Sequence, residues 1–438
     1  MMMIIPRIVL VLVSLSFYIV ESREYKRVCY YTNSPKYVYY NVQKFLISDV
    51  DPFLCTHIIF DYCLLWGNKV QAGQDKDYEL YVRLNNLKRH NSSLKTLLAL
   101  YGRSKFYSQM SSTKDSRAEF ISSAIQYLRK YNFDGLDINW QYPGDLGGKP
   151  EDKVNIGLLV KELKEAFDAE SHTSGFVCLI LTAAVAPKKD TIETAYDIPT
   201  FSKYVDFINI MSYDLHEYHF RPSTTEHYSP LFPKSTENGD RRYLNIDYAA
   251  KYWNSSGAPK EKIIIGLAVY GVLFRLTGNQ TGIGTAGRRN RYMSYNEICA
   301  LQDIGKGHIV YDSEQMVPYY TDGSLWVSFD DEVSLAMKIE WLVSEGYGGA
   351  MVWALHLDDV NQTCSRSNRK YPLLNTIKDG LVIAENGGTL TTPSLPTGMS
   401  SAVPTPSDPT TQDVSSESTQ GIYNLTTQER TSSGTSYN

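Results

Sequence analysis

Short apolar, strand-like runs recur along this chain, mostly separated by segments with helical spacing. Eight can be counted, at residues 28–32, 56–62, 95–101, 133–141, 176–186, 205–212, 262–270 and 348–355. Between the third and fourth, Phe120, Ile121, Ala124, Ile125 and Leu128 form a helical stripe. After the fourth, Leu158, Leu159, Leu163, Ala166 and Phe167 form another. Strand and helix in alternation imply right-handed crossovers and a parallel sheet, and eight such units close naturally into an α/β structure, a (β/α)8 TIM barrel. One interval is too long for a loop and a helix. Between Gly271 and Ser344 it holds further strand-like pieces at 309–312 and 325–329, so a small α+β insertion is expected between strand seven and helix seven.

The fourth run, from Phe133 to Pro143, carries the chemistry. Leu136, Ile138 and Trp140 alternate with Asp137, Asn139 and Gln141. Side chains on a strand alternate faces, so the three polar groups share one side. Burying three polar residues in a row is costly unless they have partners, which points to a polar site. Asp134, an odd number of positions from Asp137, is expected to face elsewhere unless a bulge intervenes.

The same stretch resembles the signature of glycoside hydrolase family 18, the chitinases, which ends in Asp-x-x-Asp-x-Asp-x-Glu. Here it stands as Asp134-x-x-Asp137-x-Asn139-x-Gln141, with the third acid and the catalytic acid both amides. Other matches follow in order. Val28 to Asn33 resembles the family's first strand, Met211-Ser212-Tyr213-Asp214 its Met-x-Tyr-Asp motif on strand six, Gly266 to Gly271 strand seven, and Gly348 to Trp353 strand eight. The resemblance spans roughly residues 25–380 and is nearest to the chitinase-like lectins, which keep the barrel and lose the acid.

Several things follow from the resemblance. Trp353 would floor a sugar site at the C-terminal ends of the strands, flanked by Tyr30 and Tyr62. Tyr213, Asp214 and Tyr270 would contact the acetamido group and its surroundings, and Met211 would join them in binding the substrate. The family hydrolyses by substrate assistance. Gln141 has no acidic proton to give, so a step typically worth about 10²–10⁴-fold would be lost. Asp137, without the usual like-charged neighbours, would be free to ionise and accept an acetamido N–H. Cys29 would pair with Cys55 and Cys299 with Cys364, leaving Cys63 and Cys178 reduced. Aromatic platforms of the family are missing: Ser34 and His219 stand at tryptophan positions, Tyr101-Gly102-Arg103 replaces Gly-Gly-Trp, and Val272 replaces an arginine. Weak binding of long oligomers is therefore expected.

Composition bounds the rest. Of 438 residues, those at 4–20 form a short apolar run after which Val20 and Ser22 offer a cleavage site, so 1–22 read as a signal peptide and the protein as secreted. A net charge of −5 argues against nucleic acid, and no later stretch is apolar enough to span a membrane. The irregular cysteine spacing indicates no zinc site, and no metal or cofactor is expected. Sequons stand at Asn91, Asn254, Asn279, Asn361 and Asn424. The basic run Arg288-Arg289-Asn290-Arg291 reads as a solvated loop, and Asp61 is an acid without an assigned role. From 384 to 438 Ser, Thr and Pro dominate, and a disordered, O-glycosylated tail is expected.

The domain expectation is thus a barrel over 23–270 and 345–383, an insertion over 271–344 and a tail over 384–438. The expected function is a monomeric, catalytically inactive binder of chitin or N-acetylglucosamine-containing glycans. The alternatives are a chitinase with residual hydrolysis and a protein-interaction module with a vestigial groove.

Overall fold

The computed structural model describes residues 23–32, 45–216 and 224–391. Expectations for the leader, Ser34, His219, Asn424 and the tail beyond 391 lie outside them. The strands in chain order are β1 (Lys26–Thr32), β2 (His57–Trp66), β3 (Lys69–Ala72), β4 (Lys95–Gly102), β5 (Gly135–Trp140), β6 (Ile180–Val185) and β7 (Phe207–Ile210). They continue with β8 (Ile263–Ala268), β9 (Tyr270–Leu276), β10 (Gly287–Ser294), β11 (His308–Asp312), β12 (Val317–Thr321), β13 (Leu325–Ser328) and β14 (Gly349–Trp353).

Eight strands pair in parallel in the order β1, β2, β4, β5, β6, β7, β8, β14, and β14 returns to β1, so the sheet closes as a barrel. The expected (β/α)8 fold is therefore the fold observed. At the closing seam Gly349 has φ 150°, and a Cβ there would stand 2.0 Å from the Lys26 carbonyl oxygen. Only glycine permits that approach. β3 was not foreseen; it folds back on β2 as an antiparallel hairpin.

The helices between strands start and stop where their ends are satisfied. In Lys114–Lys130, Thr113 accepts from the Ser116 N–H, and Phe120, Ile121, Ala124 and Leu128 are buried. Asp331 does the same for Glu332–Glu345 by accepting from the Ser334 N–H, and Gly346 ends that helix in the left-handed conformation.

The inserted sheet is antiparallel, in the order β10-β9-β13-β12-β11, with the helix Tyr295–Asp303 between β10 and β11. It ends at Ser328. The next helix, Glu332–Glu345, packs against Pro372–Glu385 and β14 and belongs with the barrel. The run Arg288 to Arg291 is not a loop: it lies in β10, with a bulge between Arg289 and Arg291. Arg289 stacks over Tyr292 at 4.5 Å and Tyr228 at 5.1 Å, and Arg291 pairs with Glu297 at 2.8 Å. One flat guanidinium lying on rings and another in an ion pair explain how the basic run tolerates a sheet.

The last helix runs through Glu385, past the expected boundary at 384. Its Leu381 is buried, and Glu385 accepts from the Tyr25 N–H at 2.8 Å and pairs with Arg27 at 3.1 Å. Disulfides join Cys29 to Cys55 and Cys299 to Cys364, while Cys63 and Cys178 are free. Among the described residues no helix is long and apolar enough to cross a membrane.

Candidate functional site

The three polar side chains of β5 lie at different depths. Asp137 is fully buried and holds three partners: Tyr30 Oη donates to Oδ2 at 2.7 Å, and Thr182 Oγ1 and Asn209 Nδ2 donate to Oδ1 at 2.6 and 3.3 Å. Burial raises the Asp137 carboxyl above its usual range, against the pull of those three donors.

Asp137 is not without a like-charged neighbour, contrary to expectation. Register across the parallel strands puts Thr32, Asp61, Ala99, Asp137 and Thr182 in one row. Ala99 is the small residue between the two acids. Asp61 is buried, and burial followed by the Asp137 charge pushes its carboxyl up to about 7, with a hydrogen bond from Thr32 opposing.

One row higher, Asn139 is buried and Gln141 half-buried. Gln141 Nε2 donates to Asn139 Oδ1 at 2.9 Å and contacts Met211 Sδ at 3.5 Å. Trp140, on the opposite face, stacks on Tyr107 at 4.8 Å and donates to Ser104 Oγ, which donates in turn to the Tyr142 carbonyl. Asp152 accepts from the Lys149 and Gly144 N–H groups and shapes the loop that carries Asp145. Asp134 faces elsewhere: it accepts from the Thr96 N–H at 2.7 Å and pairs with Lys88.

A cavity of about 450 Å³ opens above this row, at the C-terminal ends of the strands. Gln141, Met211, Tyr213, Asp214, Tyr270 and Trp353 line it. Tyr30 does not reach it; its ring is buried beneath Trp353 at 5.2 Å, and its hydroxyl serves Asp137. Tyr62 is outside the lining as well and packs on Tyr101 at 5.0 Å. Asp137 and Asn139 lie below the lining.

Sequence reasoning missed Tyr142, Asp145, Lys188 and Tyr292, which line the wall as well, with Ala186, Pro187, Thr191 and Leu357 between them. Tyr292 comes from the inserted sheet, and its hydroxyl donates to Asp214 Oδ2 at 3.0 Å. Its ring meets Tyr270 edge-on at 5.4 Å, and Tyr270 meets Tyr213 at 6.3 Å. Burial, then the Asp214 charge, raises the Tyr270 hydroxyl well above its usual value. No signal short of the sheet register could have brought Tyr292 to this wall. Among the sequons, Asn279 and Asn361 are exposed, whereas the side-chain amides of Asn91 and Asn254 donate to backbone carbonyls of Pro52 and Ala258. Among the described residues no group of His, Cys, Asp or Glu is placed to hold a metal ion.

The arrangement is a concave, tyrosine- and tryptophan-walled cavity with a few fixed polar groups, the usual form of a small-ligand site. Residues 26–358 match the family model for glycosyl hydrolases family 18. The chain is 35% identical over 371 residues to Chitinase-3-like protein 2 of Homo sapiens, covering 82% of this chain and 93% of that protein. The solved immunomodulatory active chitinase TsES1 of Trichuris suis superposes with a TM-score of 0.77 at 32% identity, over 82% of this chain and 100% of that one. Human YKL-39, described as a pseudo-chitinase with retained chitooligosaccharide binding properties, gives 0.76 at 34% identity, over 82% and 100%. The chain belongs to glycosyl hydrolases family 18, and its relatives include proteins described as a chitinase and as a pseudo-chitinase.

Proposed function

We propose that this protein is a secreted, catalytically inactive member of the family that binds N-acetylglucosamine oligomers in the cavity over Trp353. The observation that carries the reading is the state of Gln141. At the position of the family's acid stands an amide, held by Asn139 and Met211, with no proton to give to a leaving oxygen. The pocket around it is intact. Trp353 offers a broad face for a sugar ring, and Asp214, steadied by Tyr292, offers a fixed acceptor for a hydroxyl or an acetamido N–H. Asp137 acts from below as a support for Tyr30 and, through it, for Trp353. The retained binding of human YKL-39 supports this reading, as does the apolar run at residues 4–20 for secretion.

Calorimetric titration with tri-N-acetylchitotriose, beside a hydrolysis assay on a fluorogenic chitotriose reporter, tests it. Saturable binding without turnover is expected. Turnover that survives Gln141→Ala would mean another acid serves the reaction, and no binding at all would mean the cavity has another occupant.

A further inference from the structure

The strands also bring charge together at the opposite end of the barrel. Tyr30 and Asn209 bond Asp137, and Asp61 shares its row, so these side chains point into the barrel. Alternation along each strand then turns Lys26 of β1, His57 of β2 and Phe207 of β7 inward at the strands' N-terminal ends. Lys95 of β4 joins them, because it stands beside His57 in the parallel register. The contacts agree. His57 meets the Phe207 ring edge-on at 5.2 Å, and the Lys26 ammonium lies 5.9 Å from the centre of the same ring.

The acids at this end are already taken. Asp134 pairs with Lys88, Asp206 with Lys164 at 2.9 Å and Glu385 with Arg27 at 3.1 Å. Among the described residues no carboxylate forms an ion pair with Lys26 or Lys95, and both lysines are half-buried. Burial lowers the Lys26 ammonium below its usual range, with the exposed Glu24 as the strongest opposing charge. An ammonium drawn partly out of water and left unpaired is costly, so the pair of lysines calls for a counter-ion.

His57 is set to contribute. Thr56 Oγ1 accepts from the Arg27 N–H at 2.9 Å, donates to the Arg27 carbonyl at 3.2 Å and lies 2.8 Å from His57 Nδ1. That hydroxyl has committed its own proton and has a lone pair left for an Nδ1–H. Burial, then the Lys26 charge, lowers the ring to about 4; Lys95 and Arg27 act with Lys26, and Asp134 acts against them. An anion beside the ring reverses that balance and favours the imidazolium, with Nδ1–H given to Thr56 and Nε2–H to the anion.

We propose that Lys26, His57 and Lys95 form an anion site in the barrel floor, which takes one free tetrahedral oxyanion, sulfate or phosphate. Donors from three adjacent strands of a curved sheet surround a point, which suits a tetrahedral ion better than a flat carboxylate. The site lies at the other end of the barrel from the sugar cavity, and neither reading depends on the other.

Calorimetric titration of the full chain with sodium sulfate, at constant ionic strength in chloride, tests it. Sulfate keeps its charge over the range used, so any pH dependence belongs to the protein. One saturable site is expected, tighter at about pH 5 than at about pH 7 because the bound anion favours the charged ring. The His57 ring, followed by NMR, should titrate about one pH unit higher at saturation. Lys26→Met and Lys95→Met should each weaken sulfate about tenfold, and Lys130→Met, at an exposed lysine elsewhere, should leave it unchanged. Lys26→Arg, which keeps the charge, should bind within about twofold of the wild type and so separates a lost anion contact from a damaged fold. Sodium phosphate should compete for the same site. The absence of saturable binding, an affinity unmoved by both methionine variants, or a His57 titration indifferent to sulfate would each overturn the site.

Discussion

Asn139 and Gln141 hold each other through one hydrogen bond of 2.9 Å, and this decides which repair can succeed. Gln141→Glu restores a proton donor of nearly the same shape, but its neighbour remains an amide that cannot share or position the proton. The single change should therefore gain little. Adding Asn139→Asp should raise turnover of a short chito-oligomer by about 10²-fold over either single change, because the two groups act as a unit. A double variant that binds the oligomer yet cuts nothing would mean that the sugar lies in a different pose.

Asp61 makes a prediction of its own. Its carboxyl holds a proton up to about pH 7 in the fold, more tightly than in the unfolded chain. The folded state thus binds more protons than the unfolded one between about pH 4 and 7, and stability falls as pH rises through that window. Asp61→Asn removes the loss. Its melting temperature should match the wild type near pH 4 and exceed it by several degrees at pH 8. Equal gains at both values would mean that the carboxylate is already charged throughout.

Elements were the most legible level of the sequence. The barrel strands announce themselves because buried parallel strands are continuous apolar runs, and the motifs sit at their ends because that is where a barrel opens. What escaped depends on distant pairing. β3 is four residues long, with alternation too short to read. β10 was hidden by its arginines, of which Arg289 stacks on Tyr228 and Tyr292 and Arg291 pairs with Glu297. The Asp61 and Asp137 row is visible only through register, because 76 positions separate the two in the chain. The end of the last helix was misjudged for a like reason: Glu385 is an acid in a composition that turns polar, yet its partners are Tyr25 and Arg27. A chain ending at 384 should therefore melt several degrees below one ending at 391, since a half-buried pair and the backbone bond to Tyr25 are lost together. Equal melting temperatures would show that the contact contributes nothing.

At the scale of the molecule, the two disulfides and two thiols make the fold easy to interrogate. Cys63 is fully buried on β2, its thiol donates to the Ala99 carbonyl, and burial pushes its pKa far up. Cys178 is half-buried beside Asp168. A thiol reagent should therefore modify one cysteine in the native protein and two after unfolding, with peptide mapping placing the first label on Cys178. Two rapid reactions in the native state would contradict the barrel's closure around β2. The clasp of Glu385 on Tyr25 and Arg27 has a practical bearing on every binding experiment above. It brings the start of the first strand and the end of the last helix together at the barrel's floor, opposite the mouth. A tether attached through either end of the described chain begins from that floor. On a sensor surface the immobilised protein would present its cavity to the flowing solution, whereas coupling through Lys188 in the cavity wall would mask the site and mimic a loss of affinity.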